Sequence, residues 1–422
     1  CDDDALRRLE RRERTGGARA FVKVLEGARA APAAPGLVGL WNEPRFVKRR
    51  LRRLLEDPTG PAAGRAFLAL SVVVALALPA ARSLVGPLPV ATPGPDETAE
   101  RAVAWLIAHQ LGDGRWEAGH AKRREHAGTN DVGVTALAAM ALLDAPSSSS
   151  DVDAAVAAAV RYLLVIQEAE TGLLGDQGGL KFVYNHGYAT LALARARVAR
   201  AGLVPRARLQ AAVDFIEATR NPRGGWRYGT VPDGQNDTSV TGLMLHALAA
   251  ARDAGAVVDR SAFEDGLRYL DAMTDRRTGR TGYATKGRWS ARLTADTAEA
   301  FPPDRTEALT AVALSARLAV GLDGAEAPEL ARSFALLDAR PPEWAGGGVD
   351  FYYWWYGTEA MRRLGGEAWI EWRDRLVETL TDRQTTAGEA AGSWPAEDAW
   401  SGLGGRVYAT ALNLLSLRAA TR

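Results

Sequence analysis

Beyond about residue 97 the apolar positions follow a helical spacing, and the β-branched residues never alternate with polar ones over a useful window. The pattern predicts helices and almost no sheet. It also repeats at intervals of roughly fifty residues, the mark of an array of supersecondary units. Each unit opens with a helical stretch, passes through a Gly-rich aromatic loop and enters a second helix of small residues. The first runs "VAWLIAHQLGDGRWEAG" into "NDVGVTALAAMALL", the second "AVRYLLVIQEAETGLLGDQGGLKF" into "NHGYATLALARA", and the third "AVDFIEATRNPRGGWRYG" into "NDTSVTGLMLHALAAA". A fourth joins "GLRYLDAMTDRRTGRTGYAT" to "TEALTAVALSARLA". In the fifth the loop "WAGGGVDFYYWWYGTEAMRRL" is compressed, and the last links "LVETLTDRQTTAGEAAGSW" to "GGRVYATALNLLSL". About six helix pairs is the number that closes a ring, so the expected fold is all-α, an (α/α)6 toroid over residues 97–422.

The second helices, rich in Ala, Leu and Thr, let neighbouring axes approach closely and suit the crowded inside of a barrel. The recurring Gly supplies a positive-φ residue after each first helix. The recurring Trp (Trp116, Trp226, Trp394) is expected to lay its ring over the junction to the next pair, a structural role.

The pattern changes upstream. Residues 1–64 are Arg-rich, with a short helical character, and end in "RFVKRRLRRLLEDPTGPAAGR". Directly after comes "AFLALSVVVALALPAA", Ala66 to Ala81, apolar and without a charge, then Arg82 and "SLVGPLPV". A membrane helix needs roughly 20 apolar residues, a length reached over 65–88 if Arg82 snorkels to the interface. The Lys and Arg cluster on its N-terminal side alone places residues 1–64 in the cytoplasm and everything after Pro89 outside. Residues 89–96, with "VATPGPD", form a Pro/Gly linker.

Composition adds little. The chain is 47% hydrophobic and 24% charged, ordinary for a folded protein, and a formal net charge of +1 does not point to nucleic acid. The single cysteine, Cys1, excludes an intrachain disulfide and a Cys-based zinc site. An opening on Cys without a signal-peptide pattern suggests a piece of a longer protein.

The loops "QLGDGRW" (Gln110 to Trp116), "NPRGGW" and "AAGSW" resemble the QW repeats of squalene-hopene cyclases, and the repeat region as a whole resembles the toroids of that family and of protein prenyltransferases. The resemblance implies a fold; the same toroid serves cyclases, prenyltransferase β-subunits and thioester domains of complement-like proteins. The N-terminal part, "CDDDALRRLERRERTGGARAFVKVL" and "GLVGLWNEPRFVKRRLRRLL" before an apolar run, is similar to the region after the zinc site in membrane metallopeptidases of the β-lactam-sensor type. That similarity implies a cytosolic peptidase followed by a membrane helix and an external sensing domain. No HExxH occurs in the chain, so any such zinc site lies upstream of Cys1 or was lost.

The chemistry of the related enzymes is poorly represented. Class II terpene cyclases protonate an alkene with the central acid of a DxDDTA motif. The best match, "GQNDTSV", keeps Asp237 and Thr238 but has Asn236 at the acid position and Gly234 in place of the first Asp; "ADTAEA" around Asp296 is a poor substitute. Prenylation needs a zinc held by Asp, Cys and His, and thioester chemistry a Cys; neither has a Cys after position 1. His120 and His126 in "GHAKRREHAG" more often face solvent than bind zinc. No metal, cofactor or catalytic residue is therefore expected.

What remains is a set of polar residues at the starts of the second helices, Asp131, His186, Asp237 and Tyr408, with Tyr353 and Trp354 of the aromatic run Phe351 to Tyr356. Equivalent positions in a closed ring point toward one end of the central cavity, which makes these six a candidate pocket. Their ordinary role is helix capping, worth about 1 kcal/mol each. The functional expectation is a membrane-anchored, extracytoplasmic toroid that binds a small molecule, lipid or protein as the sensor module of a metallopeptidase-like transducer. An enzyme of terpene-cyclase ancestry acting on a lipid or isoprenoid and a structural interaction scaffold stay open as alternatives. No nucleic-acid partner is expected.

Overall fold

The computed structural model describes residues 93–119, 130–145, 149–177, 182–222, 224–290, 292, 294–321 and 330–422. The expected cytosolic tail, the expected membrane helix with its apolar run from Ala66 to Ala81, and His120 and His126 lie outside these residues. Among the described residues no helix is long and apolar enough to cross a membrane. Extended structure among them is confined to the isolated bridges Gln167–Leu174 and Thr274–Thr281.

Among the described residues thirteen α-helices follow one another. They are α1 (Pro95–Ala108), α2 (Asp131–Leu143), α3 (Ser150–Val165), α4 (Phe182–Ala199), α5 (Arg206–Ala218), α6 (Thr238–Asp253) and α7 (Arg260–Met273), then the short α8 (Ala295–Ala300), α9 (Ala308–Val320), α10 (Ala331–Asp338), α11 (Phe351–Leu364), α12 (Gly366–Arg383) and α13 (Ser401–Thr421). Pro95 and Asp96, expected to belong to the linker, are the first residues of α1; proline is preorganised for the first helical position, where its missing N–H costs nothing.

Packing sorts the helices into two layers. α2, α4, α6, α9, α11 and α13 each contact the next, and α13 returns to α2, so six inner helices close a ring. α1, α3, α5, α7, α10 and α12 pack on its outside, each against its own inner partner or a ring neighbour. This is the expected arrangement of six helix pairs. The layers differ as burial demands. On α2 every residue from Asp131 to Leu142 is buried, whereas α7 buries only Ala262, Phe263, Gly266 and Leu270. The small residues set the inner spacing. A Cβ on Gly242 of α6 would stand 2.2 Å from Val312 Cγ1 of α9, so only glycine allows these helices their approach.

The loops between layers carry one repeated device. Gln110 Nε2 donates to the carbonyls of Gly114 in its own loop and Ala155 in the next outer helix, both at 2.9 Å. Gln167 does the same to Gly172 and Arg208, and Gln384 to Gly392 and Thr98. Because Thr98 belongs to α1, the last pair is stitched to the first. Three loops, those of Gln110, Asn221 and Gln384, end on a buried Trp whose indole N–H satisfies a carbonyl near the end of the preceding outer helix: Trp116 to Leu106, Trp226 to Ile216 and Trp394 to Leu380, at 2.7–2.8 Å. The glycine is required at Gly392, where φ is 93° and a Cβ would meet Arg101 O at 2.4 Å.

One element differs from expectation. The aromatic run Phe351 to Tyr356, expected in a compressed loop, forms the first turns of α11, because Asp350 caps that helix by accepting the Tyr353 N–H at 3.0 Å.

Candidate functional site

The ring encloses a cavity of about 330 Å³ at the end where the inner helices begin. Its walls come from the first turns of the inner helices, including Val134, Leu137, Tyr184, Tyr188, Leu309, Tyr352, Leu403 and Tyr408, and from the loops before and between them, including Tyr228, Tyr283, Arg292 and Trp400. Most of this surface is hydrocarbon and aromatic, with a few polar groups set into it, the usual make-up of a small-molecule site.

One wall is a hydroxyl relay. Tyr283 donates to Asp237 Oδ2 at 3.1 Å and Ser239 to Asp237 Oδ1 at 2.7 Å. Their protons being committed, Tyr228 must donate to Tyr283 (2.6 Å) and Tyr184 to Ser239 (2.7 Å). Burial raises the pKa of Tyr184, Tyr228 and Tyr283 above the ordinary phenol value, so all three are neutral donors. Every proton in the relay runs toward Asp237, and the wall shows the cavity oxygen lone pairs. Asp237 is itself buried behind that wall; it caps α6 by accepting the Val240 N–H, and burial pushes its carboxyl up. The relay is held by Tyr269, whose hydroxyl donates to the carbonyls of Asn236 and Tyr283.

Two buried carboxylates lie behind the cavity lining, next to Trp400 and Tyr408. Asp350 accepts the Thr306 hydroxyl and the Tyr353 N–H, both at 3.0 Å. Asp398 accepts the N–H groups of Phe351, Trp400 and Ser401 and the hydroxyls of Ser401 and Tyr408. Burial raises both, and with the Asp350 charge nearby the Asp398 carboxyl reaches about 7. Arg292 lies beside them, its side chain 1% exposed and its Nη2 3.7 Å from Asp350 Oδ2.

Of the six residues singled out from the sequence, Tyr408 lines the cavity. Asp237 stands directly behind its wall. Asp131 does not cap its helix; it ties the preceding loop to α2, accepting from Arg115 Nη1 at 2.5 Å and from the Ala118 N–H at 2.9 Å. The remaining three point away from the cavity. His186 accepts the Leu174 N–H at Nδ1 and sits against Ala212 O of the outer helix α5. Tyr353 donates to Arg340 O and meets Trp372 of α12 edge-on, and Trp354 packs between Trp344 and Phe351. The six therefore do not converge. Asn236, at the position of a cyclase acid, accepts from Asn221 Nδ2 in its own loop, and Asp296 is exposed on α8. The sequence reading missed Arg292, Asp350, Asp398 and the tyrosines. Only Asp350 carried a signal, a cap residue directly before an apolar run.

No family model and no curated protein matches the chain. Solved structures do. An α-1,6-mannanase of Salegentibacter sp. HEL1_6 superposes with a TM-score of 0.51 at 12% identity, covering 77% of this chain and 98% of that one. The fold is an α/α toroid. A type II terpene cyclase, MstE of Scytonema, matches with a TM-score of 0.48 at 20% identity over 76% of this chain and 96% of that one. A protein from Actinoplanes matches with a TM-score of 0.49 at 15% identity over 77% and 99%. At these identities the likeness extends to the fold and not to the site.

Proposed function

We propose that the toroid is a small-molecule binding module whose ligand occupies the central cavity, and that it serves as the extracytoplasmic sensor of a membrane-anchored transducer. The observation that carries the binding reading is the cavity of about 330 Å³ walled by aromatic and aliphatic side chains, with polar groups at defined points. The raised carboxyl of Asp398 favours a second reading, a proton-donating enzyme. Its oxygens, however, are taken by three N–H groups and two hydroxyls, so they organise the start of α11 and the loop into α13.

Binding is tested with prodan, a neutral naphthalene dye that brightens and shifts to the blue in apolar surroundings. The full chain is expected to bind it saturably at one site, and Ala308→Phe, which places a ring in the cavity, to abolish binding while the melting transition stays cooperative. Unsaturable binding, or binding indifferent to Ala308→Phe, would remove the cavity reading.

The membrane part of the proposal rests on the basic segment ending at Arg65 beside the uncharged run Ala66 to Ala81. Protease added to spheroplasts is expected to digest residues after 97 and spare those before 64. The opposite pattern of protection would reverse the orientation.

A further inference from the structure

Among the described residues three side chains of the cavity lining, Arg292, Tyr352 and Trp400, have buried polar atoms without a hydrogen-bond partner, and of these Arg292 alone is charged. Arg292 lines the cavity with its side chain 1% exposed, yet neither Nη1 nor Nη2 has a hydrogen-bond partner. Only Nε is used, donating to Phe301 O at 2.9 Å. The guanidinium stands over the Trp400 ring, 5.5 Å from its centroid, and the nearest carboxylate oxygen, on Asp350, lies beyond hydrogen-bond reach at 3.7 Å. That carboxylate is held by Thr306 and Tyr353, and Asp398 is fully engaged. The Asp350 charge compensates the guanidinium in part, but two buried terminal nitrogens without a hydrogen bond still carry a desolvation cost that an acceptor in the cavity would remove.

We propose, resting on the cavity reading above, that Arg292 is the receptor for a carboxylate, and that the ligand is a small monoanion with an apolar body. Three features narrow the chemistry to that class. The planar guanidinium presents its free N–H groups as a fork that matches the two oxygens of a carboxylate. Arg292 is the one charged side chain lining the cavity among the described residues, so a diphosphate, with several negative charges, would be left mostly uncompensated. Val134, Leu137, Leu309 and Leu403 give the rest of the ligand a hydrocarbon surface. Burial raises the carboxyls of both neighbouring acids, which weakens their opposition to an incoming anion. The tyrosine wall takes no part in fixing the head group, since its protons are committed to Asp237.

The test is displacement of prodan from the full chain by three probes of one shape: decanoate, decanamide and decylammonium. Decanoate is expected to displace the dye at concentrations at least tenfold below decanamide, and decylammonium to be weakest. Arg292→Gln is expected to erase the preference for decanoate while prodan still binds, and Arg292→Lys, which keeps the charge but not the fork, to retain part of it. Should Arg292→Gln fail to fold, the wild-type series and Arg292→Lys decide alone. Decanamide or decylammonium matching decanoate, or decanoate failing to displace the dye, overturns the carboxylate site and leaves the cavity reading standing. Loss of prodan binding by the wild-type chain removes both.

Discussion

Trp394→Ala is expected to destabilise the toroid by about 3–5 kcal/mol, the range for deleting a large buried aromatic. The ring is fully buried between the last outer helix and the start of α13. Its indole N–H is the partner of Leu380 O at 2.8 Å, and its backbone N–H bonds Thr410 Oγ1 at 3.3 Å. The loss therefore combines a cavity with an orphaned helix-end carbonyl. Against a total of roughly 5–15 kcal/mol for a typical domain, this is enough to populate unfolded chain. Trp394→Phe should cost clearly less, because most of the volume stays and only the hydrogen bond goes. Equilibrium urea denaturation of the two variants beside wild type provides the measurement. A cost under about 1 kcal/mol for the alanine variant would mean that this loop is not a structural keystone.

The second large effect concerns acid. Burial lowers His186 to about 4, the Ala212 carbonyl recovering only part of the charged form. In the native state the imidazole is held neutral, with Nδ1 accepting the Leu174 N–H and the proton on Nε2 directed at Ala212 O. Its folded pKa lies below its unfolded value near 6.5, so between the two the unfolded chain binds more protons. The contribution of this group is fully present above pH 6.5 and is lost as pH falls toward 4, on the order of 3 kcal/mol in all. His246, also lowered to about 4, adds in the same direction. Asp398 acts in the opposite one, because a carboxyl raised to about 7 stabilises the fold below its unfolded value and loses that contribution as pH rises to 7. Resolving the histidines by NMR separates the effects. The His186 ring is expected to stay neutral to about pH 5 and to titrate only as the protein unfolds, and a reversible midpoint near 6.5 in folded protein would refute its buried, neutral state.

The helix pairs were readable because their signals are local: Gly and Trp at fixed offsets after an apolar stretch, and small residues in the helix that follows. The cavity was not readable, for a geometric reason. Inner helices are buried on every face, so periodicity does not distinguish the side turned to the centre of the ring from the side turned to the outer layer. Successive residues of α11 show the consequence: Tyr352 faces the cavity, Tyr353 meets Trp372, and Trp354 packs on Trp344. His186 was misassigned in the same way, since its ring is turned to α5. Arg292 lies in "GRWSARLTAD", where nothing in the spacing separates it from the solvated arginines around it, and its burial depends on Phe301, Trp400 and Asp350, all distant or beyond a turn.

The closure of the ring also governs how the molecule acquires its stability. In an open stack of repeats each unit contacts only its neighbours, the ends need polar caps, and folding can begin anywhere and spread. Here Gln384 reaches back across 286 positions of sequence to Thr98, and Arg418 meets Asp96 across 322. No unit is terminal, so none needs a cap. The final contacts demand that a very long loop be closed before they return any free energy. The six pairs are therefore bound to gain their last stability together, and an opening at any one junction releases the curvature that keeps the central cavity in shape.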